Sequence, residues 1–321
     1  MADNWQPGIN ISSLRDRSEL LQSLRSFFQQ RQVPEVDVPV LGRSTVTDGN
    51  IESINAVVSG NSAYLQTSPE YFMKRLLAAG SGDIFCLGKA FRDAEIGRRH
   101  NPEFTMLEWY RCGWDEHQLM DELAELISQI TNARSETSLA VTKVSYADSF
   151  KSVFGIDPHS TELGTLQKMA AELGSESWAE ESRANCLDLL FSLKVEAQLP
   201  DGLVLIYDYP ACQAALAQIH LDAQGRFVSR RFEAFFNRME LANGYRELTD
   251  AREQRQRFDK DREQRHAHGK PEITVDEKLM AALDCGLPAC AGVALGVDRL
   301  LMQLQGAESL DQVMPFSWSR S

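Results

Sequence analysis

The sequence predicts a mixed helix–strand domain, α+β or α/β, and three observations point there. Its 321 residues suffice for one large domain or two ordinary ones, and 43% apolar with 25% charged residues is an ordinary soluble composition. Stretches such as EVDVPVL and EFTMLEWYRCGW alternate as strands do. TSPEYFMKRLLAAG has the start and stop signals of a helix. No internal repeat, low-complexity segment or clear linker divides the chain. The simplest reading is one domain over 1–321 with a helical insertion around 155–200.

The elements follow in order. Ser12-Ser13 can cap a helix in which Leu14, Leu20, Leu21, Leu24, Phe27 and Phe28 keep helical spacing, ending near Gln32. EVDVPVL sets Val36, Val38 and Val40 on one face of a half-buried strand. Pro39 has no N–H to donate, which argues for an edge or an interface. In the next helix Ser68 caps, Pro69 takes the first position and Gly80 terminates. Residues 83–91 are strand-like, and an arginine-rich loop runs to Pro102. The following strand puts Phe104, Met106, Glu108 and Tyr110 on one face. Residues 116–132 and most of 159–199 read as helices, and 203–208 as a buried strand. Residues 250–268 make a charged helix read as a solvated face, its mixed acids and bases arguing against a nucleic-acid arm. CAGVALGVDRLLMQLQG is a glycine-rich strand running into a helix.

RFEAFFNRMELANGYREL carries Glu233, Glu240 and Glu247 at intervals of seven. On a helix this spacing would form one solvated stripe. The apolar residues between keep no clean helical stripe, and Asn243-Gly244 is a strong turn signal. Two strands, roughly 228–236 and 238–243, each followed by a turn, fit better. Three converging carboxylates would repel one another unless something positive sits among them, a metal or an ammonium group.

Three further stretches bear on chemistry. Arg92, Arg98, Arg99 and His100 in one loop make an anion trap, or simply an exposed basic loop. Glu108 lies on an otherwise apolar face with Tyr110, which suits a cationic ligand or a frayed strand edge. GVALGVDR alone is a tight strand–helix junction. The six cysteines form no CxxC pair and read as reduced thiols. No run reaches the roughly 18 apolar residues of a membrane span, and the start MADNWQPG is neither a signal nor a transit peptide. A cytoplasmic location is expected. The net charge of −13 disfavours broad nucleic-acid binding.

Taken together and in this order, these stretches resemble the class II aminoacyl-tRNA synthetase core, an α+β fold with an antiparallel β-sheet flanked by helices. The helix and strand reaching Pro39 resemble its first motif, the Phe91-Arg92 loop its second, and Gly296-Val297-Asp298-Arg299 its third. RHNPEFTMLEWY and ELANGYREL resemble the lysyl branch. The first motif begins at about residue 13, which leaves no room for the anticodon-binding barrel of lysyl-tRNA synthetases. The chain is therefore similar to the truncated paralogues, the elongation factor P–(R)-β-lysine ligases.

The resemblance implies roles for particular residues. Arg92 would hold the ATP α-phosphate and Arg99 the γ-phosphate, while Phe104 and Arg299 would sandwich adenine; Arg92 and Arg299 are the catalytic pair. Asp93, Ala94, His100, Asn101, Glu240, Leu241 and Gly296 complete the ATP site. Glu233 and Glu240 match the magnesium carboxylates. Glu108, Tyr110, Asn243, Tyr245 and Glu247 match the pocket for the lysine ammonium, and Ser68, Pro69, Glu70 and Ala294 the reacting end of the substrate. The chemistry implied is attack of a carboxylate on the α-phosphorus, loss of pyrophosphate, and transfer from the acyl-adenylate to an ε-amine of elongation factor P. ATP and Mg²⁺ are the implied cofactors. A homodimer, no membrane association and no stable tRNA binding are expected.

Two departures matter. Ala94 stands where the usual pattern has a glutamate that reads the adenine amino group. Ala294 stands where tRNA-charging enzymes carry glycine, and its methyl would penalise an α-amino acid and favour β-lysine, as in the ligase family. Competing readings are lysine transfer to tRNA or a minihelix, and a catalytically impaired regulatory paralogue.

Overall fold

The structure, a computed structural model, describes residues 5–134 and 138–321, so the first four residues of the polar start lie outside the described residues. It divides into two compact units, Met1–Trp114 with Leu248–Ser321, and Asp115–Glu247.

In the first unit the Ile11–Gln30 helix is capped by Asn10 rather than by Ser12-Ser13. The Asn10 Oδ1 accepts from the Ser13 N–H at 2.9 Å and the Ser12 hydroxyl at 2.6 Å. The helix buries Leu20, Leu24, Phe27 and Phe28. Phe28 stacks on Phe85 at 4.5 Å and meets Trp109 at 5.3 Å. The strand expected over EVDVPVL reduces to a bridge from Glu35 to Phe85 and the two-residue strand Leu41–Gly42. Pro34 and Pro39 break the donor series there, and Val40 is left exposed.

Besides a small sheet of Leu41–Gly42, Asn55–Val58 and Asn61–Leu65, three longer antiparallel strands run through this unit. Glu103–Cys112 lies between Ile84–Phe91 and Cys290–Gly296. Being central, it is buried on both faces from Thr105 to Arg111. The Val297–Gln305 helix then begins with Asp298 turned inward. Arg17 Nη1 donates to Asp298 Oδ1 at 2.6 Å, and the Thr105 N–H donates to Asp298 Oδ2 at 2.6 Å. Arg17 Nη2 also reaches the Thr105 hydroxyl at 2.7 Å. The charged helix Ala251–Ala267 is not purely a solvated face, because Gln254, Phe258 and Arg265 are buried. Arg265 donates to the Asp48 carbonyl at 3.0 Å and to Glu52 Oε2 at 2.9 Å.

In the second unit Val141–Ser145 pairs in parallel with Leu203–Pro210, which pairs antiparallel with Phe227–Phe236. Met239–Arg246 continues the sheet antiparallel to Phe227–Phe236, and Ile219–Leu221 also pairs with that strand. The stretch from 155 to 200 forms the helices Leu163–Leu173 and Arg183–Leu190 and shorter turns. Its core packs Phe150, Leu187 and Phe191 with Tyr146 against Val204, Ile206, Tyr209 and Phe235 of the sheet. The two units contain the helices and largely antiparallel strands of an α+β fold.

The glutamate stretch is a hairpin, but its turns differ from the expectation. Asn237 and Arg238, with φ of 48° and 64°, form the two-residue loop that twisted hairpins favour. Asn243-Gly244 makes no turn: both stay extended, opposite Glu233 and Phe232. Pairing along the neighbouring strand overrides the local turn preference of the dipeptide. The register shifts between Glu240 and Ala242, leaving Leu241 as the extra residue of a β-bulge.

The Arg17–Asp298 pair generates a stability prediction. Arg17→Met is expected to cost about 3–5 kcal/mol in denaturant unfolding, since it strands a buried carboxylate. A loss below about 1 kcal/mol would show that the Thr105 N–H alone satisfies Asp298.

Candidate active site

The first unit gathers one set of the expected site residues around Glu108. This carboxylate is 2% exposed. Ser68 Oγ donates to its Oε2 at 2.6 Å and the Tyr110 hydroxyl to its Oε1 at 2.7 Å. Ser68 Oγ in turn accepts the Glu70 N–H at 3.0 Å, which fixes the start of the Glu70–Ala78 helix just beyond Pro69. One turn later the buried Lys74 ammonium reaches Glu70 Oε1 at 2.6 Å. Across the sheet Glu108 lies opposite Ala294 on one side and Cys86 on the other, and Tyr110 opposite Gly292. The register thus sets the Ala294 methyl beside Glu108, because directly opposed residues share a face.

Electrically this pocket is short of positive charge. Burial pushes the Glu108 carboxyl up to about 7, and Glu70 adds to the rise; Ser68, Tyr110 and Lys74 oppose it. Burial and Glu108 also push the Cys86 thiol up to about 12, so it is an inert neighbour. A carboxylate met chiefly by neutral hydroxyls retains affinity for a cation.

The second and third motifs bring Arg92, Arg99 and Arg299 into the same unit. Arg92 lies over the Phe104 ring at 5.3 Å and faces Glu95 at 3.6 Å. Its Nε is buried with no hydrogen-bond partner among the described residues. Asp93 donates its N–H to the Glu52 carbonyl at 2.8 Å, and Ala94 sits at φ 60° with its N–H on Asp93 Oδ1. This left-handed residue turns the chain so that Glu95, not position 94, faces Arg92. Gly97 and His100 pair to close the loop, leaving Arg98, Arg99 and His100 exposed. Arg299, just beyond Gly296, donates to the Arg99 carbonyl at 3.2 Å and to His100 Nε2 at 2.7 Å. Asn101 turns away from the loop: its amide donates to the Glu103 carbonyl at 2.6 Å and accepts the Trp318 N–H at 2.8 Å.

The second unit gathers the glutamate stretch. Register places Glu233 opposite Asn243 and a neighbouring residue, Arg231, opposite Tyr245, so all four share one face. The bulge at Leu241 lets Glu240, opposite Phe235, share that face too. Glu233 is held on both oxygens, Oε1 by Arg231 Nη2 and Oε2 by the Tyr209 hydroxyl at 2.7 Å. Burial raises its pKa; Arg231 opposes the rise and Glu240 adds to it. Glu247 is buried, its carbonyl accepting from Gln218 at 2.9 Å. The positive group that the three glutamates call for is thus supplied in part by the chain itself.

Sequence reasoning left Arg231, Tyr209 and Lys74 unassigned. The signals were present: Arg231 precedes Glu233 by two, the same-face interval of a strand, and Lys74 follows Glu70 by four, the same-face interval of a helix. Tyr209 carries no such local signal. Among the described residues no group of three or more histidines, cysteines or acids is arranged to hold a metal, and no helix is long and apolar enough to cross a membrane.

The Glu108 environment fixes a pH effect. Its folded pKa of about 7 lies above the ordinary value of 4.5, so folding takes up a proton between them. That contribution to stability is complete below about 4.5 and is lost as pH rises through 7. Glu108→Gln is expected to flatten the stability–pH curve in this window, measured by denaturant unfolding at several pH values. An identical slope in the variant would refute the assignment.

Comparison with known proteins identifies the family. A family model described as tRNA synthetases class II (D, K and N) matches residues 10–320. An elongation factor P–(R)-β-lysine ligase of Photorhabdus laumondii is 47% identical over 327 residues, covering 99% of this chain and 98% of that protein. Proteins of the same name from Hamiltonella defensa and Vibrio cholerae are 45% and 44% identical, each over at least 99% of both chains.

Proposed function

This chain belongs to the class II tRNA synthetase family, within the group of elongation factor P–(R)-β-lysine ligases, and from that premise we propose that it activates (R)-β-lysine, or lysine, with ATP and transfers it to a lysine ε-amino group of elongation factor P. It is a ligase of the class II synthetase type. The observation that carries the substrate assignment is Glu108, a buried carboxylate braced by Ser68 and Tyr110 and lacking a full counter-charge. An ammonium ion supplies what that site is missing.

The residue roles are part of the same proposal. Glu108, Tyr110, Asn243, Tyr245 and Glu247 bind the ammonium end, and Ser68, Pro69 and Glu70 orient the reacting end. Arg92 and Arg99 bind phosphate oxygens through charge-assisted hydrogen bonds. The Arg92 Nε, buried and without a partner among the described residues, fits an anion. Phe104 and Arg299 hold the adenine. Glu95, which faces Arg92, is the carboxylate left near the nucleotide where Ala94 has none. Glu233 and Glu240 hold Mg²⁺: their mutual repulsion and oxygen donors fit a small hard cation that keeps waters and phosphate among its ligands. When bound, the metal offsets charge developing on the phosphoryl oxygens. No protein nucleophile takes part, so the chain contributes positioning and electrostatics. A single catalytic domain, a homodimer, a cytoplasmic location and no stable tRNA binding belong to this reading.

Incubating the protein with ATP, Mg²⁺, (R)-β-lysine and purified elongation factor P is expected to add one β-lysyl group to one lysine of the acceptor, seen by mass spectrometry. An unmodified factor alongside charged tRNA would favour the competing reading.

Ala294 gives a second test. Its methyl adjoins Glu108, so Ala294→Gly enlarges the amino-acid site by one methyl. The kcat/KM ratio of α-lysine to β-lysine in pyrophosphate exchange is expected to rise by about 10- to 200-fold. An unchanged ratio would make Ala294 a packing residue only.

A further inference from the structure

The glutamate stretch contains a cation to which neither the family resemblance nor the names of the relatives give a role. We propose that Arg231 is a positioning residue with two duties: it presents the Asn243 amide to the amino-acid substrate, and it holds Glu233 as a resident counter-ion in competition with the metal. The proposal rests on the reading above of Glu233 as a metal carboxylate and Asn243 as a substrate residue.

The geometry carries it. The guanidinium is largely buried and uses its fork in three directions. Nε donates to Asn243 Oδ1 at 3.2 Å, Nη1 to the Gln213 carbonyl at 2.9 Å, and Nη2 to Glu233 Oε1. Its plane lies over the Tyr209 ring at 4.8 Å, and the Tyr209 hydroxyl holds the other Glu233 oxygen. Tyr209 is itself seated on Tyr146 at 4.6 Å in the aromatic core. Register supports the same grouping, with Arg231 opposite Tyr245 and Glu233 opposite Asn243. A lysine at this position would bring a comparable charge but no rigid fork able to meet three acceptors at once.

Two consequences of opposite sign follow. The amide oxygen of Asn243 is aimed by the Nε contact, so losing Arg231 frees the side chain to rotate and weakens the amino-acid site. Glu233 Oε1 is occupied by Nη2, and a metal taking that oxygen must displace a cation. Losing Arg231 therefore strengthens metal binding while it weakens amino-acid binding. Damage to the fold alone would weaken both.

The test uses the full chain as wild type, Arg231→Met and Arg231→Lys. Mn²⁺ affinity is read from the free-ion signal in electron paramagnetic resonance, with a non-hydrolysable ATP analogue present. Affinity for lysine and β-lysine is read by calorimetry. Arg231→Met is expected to bind Mn²⁺ about threefold or more tighter and the amino acid about tenfold or more weaker. Arg231→Lys is expected to keep near-wild-type Mn²⁺ affinity, since an ammonium can still pair with Glu233, but to show the amino-acid loss. If the methionine variant does not fold, the split in the lysine variant decides. Asn243→Ala is expected to reproduce the amino-acid loss without the metal gain. Unchanged amino-acid affinity in both arginine variants, or a parallel loss of both affinities, overturns the proposal. A wild type that binds neither lysine overturns the functional reading instead, and the Mn²⁺ comparison still judges Arg231.

Discussion

A carboxylate removed from water must be met by a cation or by several donors, and the interior of each unit is arranged around that demand. The first unit meets it in two ways. Asp298 receives the Arg17 guanidinium and the Thr105 N–H, so its charge is balanced and it ties two elements together. Glu108 receives two hydroxyls, which satisfy its lone pairs and leave its charge largely uncompensated. Its raised proton affinity is the measure of that deficit. One carboxylate is thereby balanced within the fold and the other is left with an unmet demand for positive charge.

The second unit applies the same rule with one charge more. Glu233 has its own guanidinium and would be closed by that alone, but Glu240 brings a second negative charge within reach. Two carboxylates and one guanidinium thus share this face. Support for this comes from packing remote from the charges. The helices of this unit pack Tyr146, Phe150 and Phe191 against Val204, Phe235 and Tyr209, and Tyr209 ends in the hydroxyl that holds Glu233. An aromatic core of this size costs a large penalty to disturb, so its polar tip is a rigid donor.

Much of this was legible in the sequence, and the exceptions share a cause. The helix read over 116–132 stands there, and the helix expected to be capped by Ser68 with Pro69 first begins one residue later, at Glu70, with Pro69 as the N-cap. The exceptions are positions where a neighbour in space outvotes a neighbour in sequence. Asn243-Gly244 has the local chemistry of a turn and is held straight by its partners on the adjoining strand. EVDVPVL has the alternation of a strand, but Pro39 within it and Pro34 just before it break the donor series, and Val40 finds no cover. Glu108 and Tyr110 were visible because a carboxylate on an apolar face is conspicuous. Arg231 was not, because an arginine beside a glutamate on a strand is ordinary until its other two partners are known.

The seven-residue interval of the glutamates now has a physical account. An odd interval puts two residues on opposite faces of a regular strand, so heptad spacing is the wrong spacing for a strand-borne site. Two irregularities correct it. The two-residue turn at Asn237 and Arg238 returns the chain antiparallel, with Glu240 opposite Phe235 and hence on the face of Glu233. Leu241 then adds one residue without a partner, which changes the parity and brings Asn243 and Tyr245 to that same face. Glu247 lies just past this strand, in a bridge to Ala217. The bulge is therefore as much a part of the candidate site as any of its side chains. Deleting Leu241, or restoring a regular register around it, would leave every glutamate in the sequence and turn the residues beyond Glu240 to the opposite face.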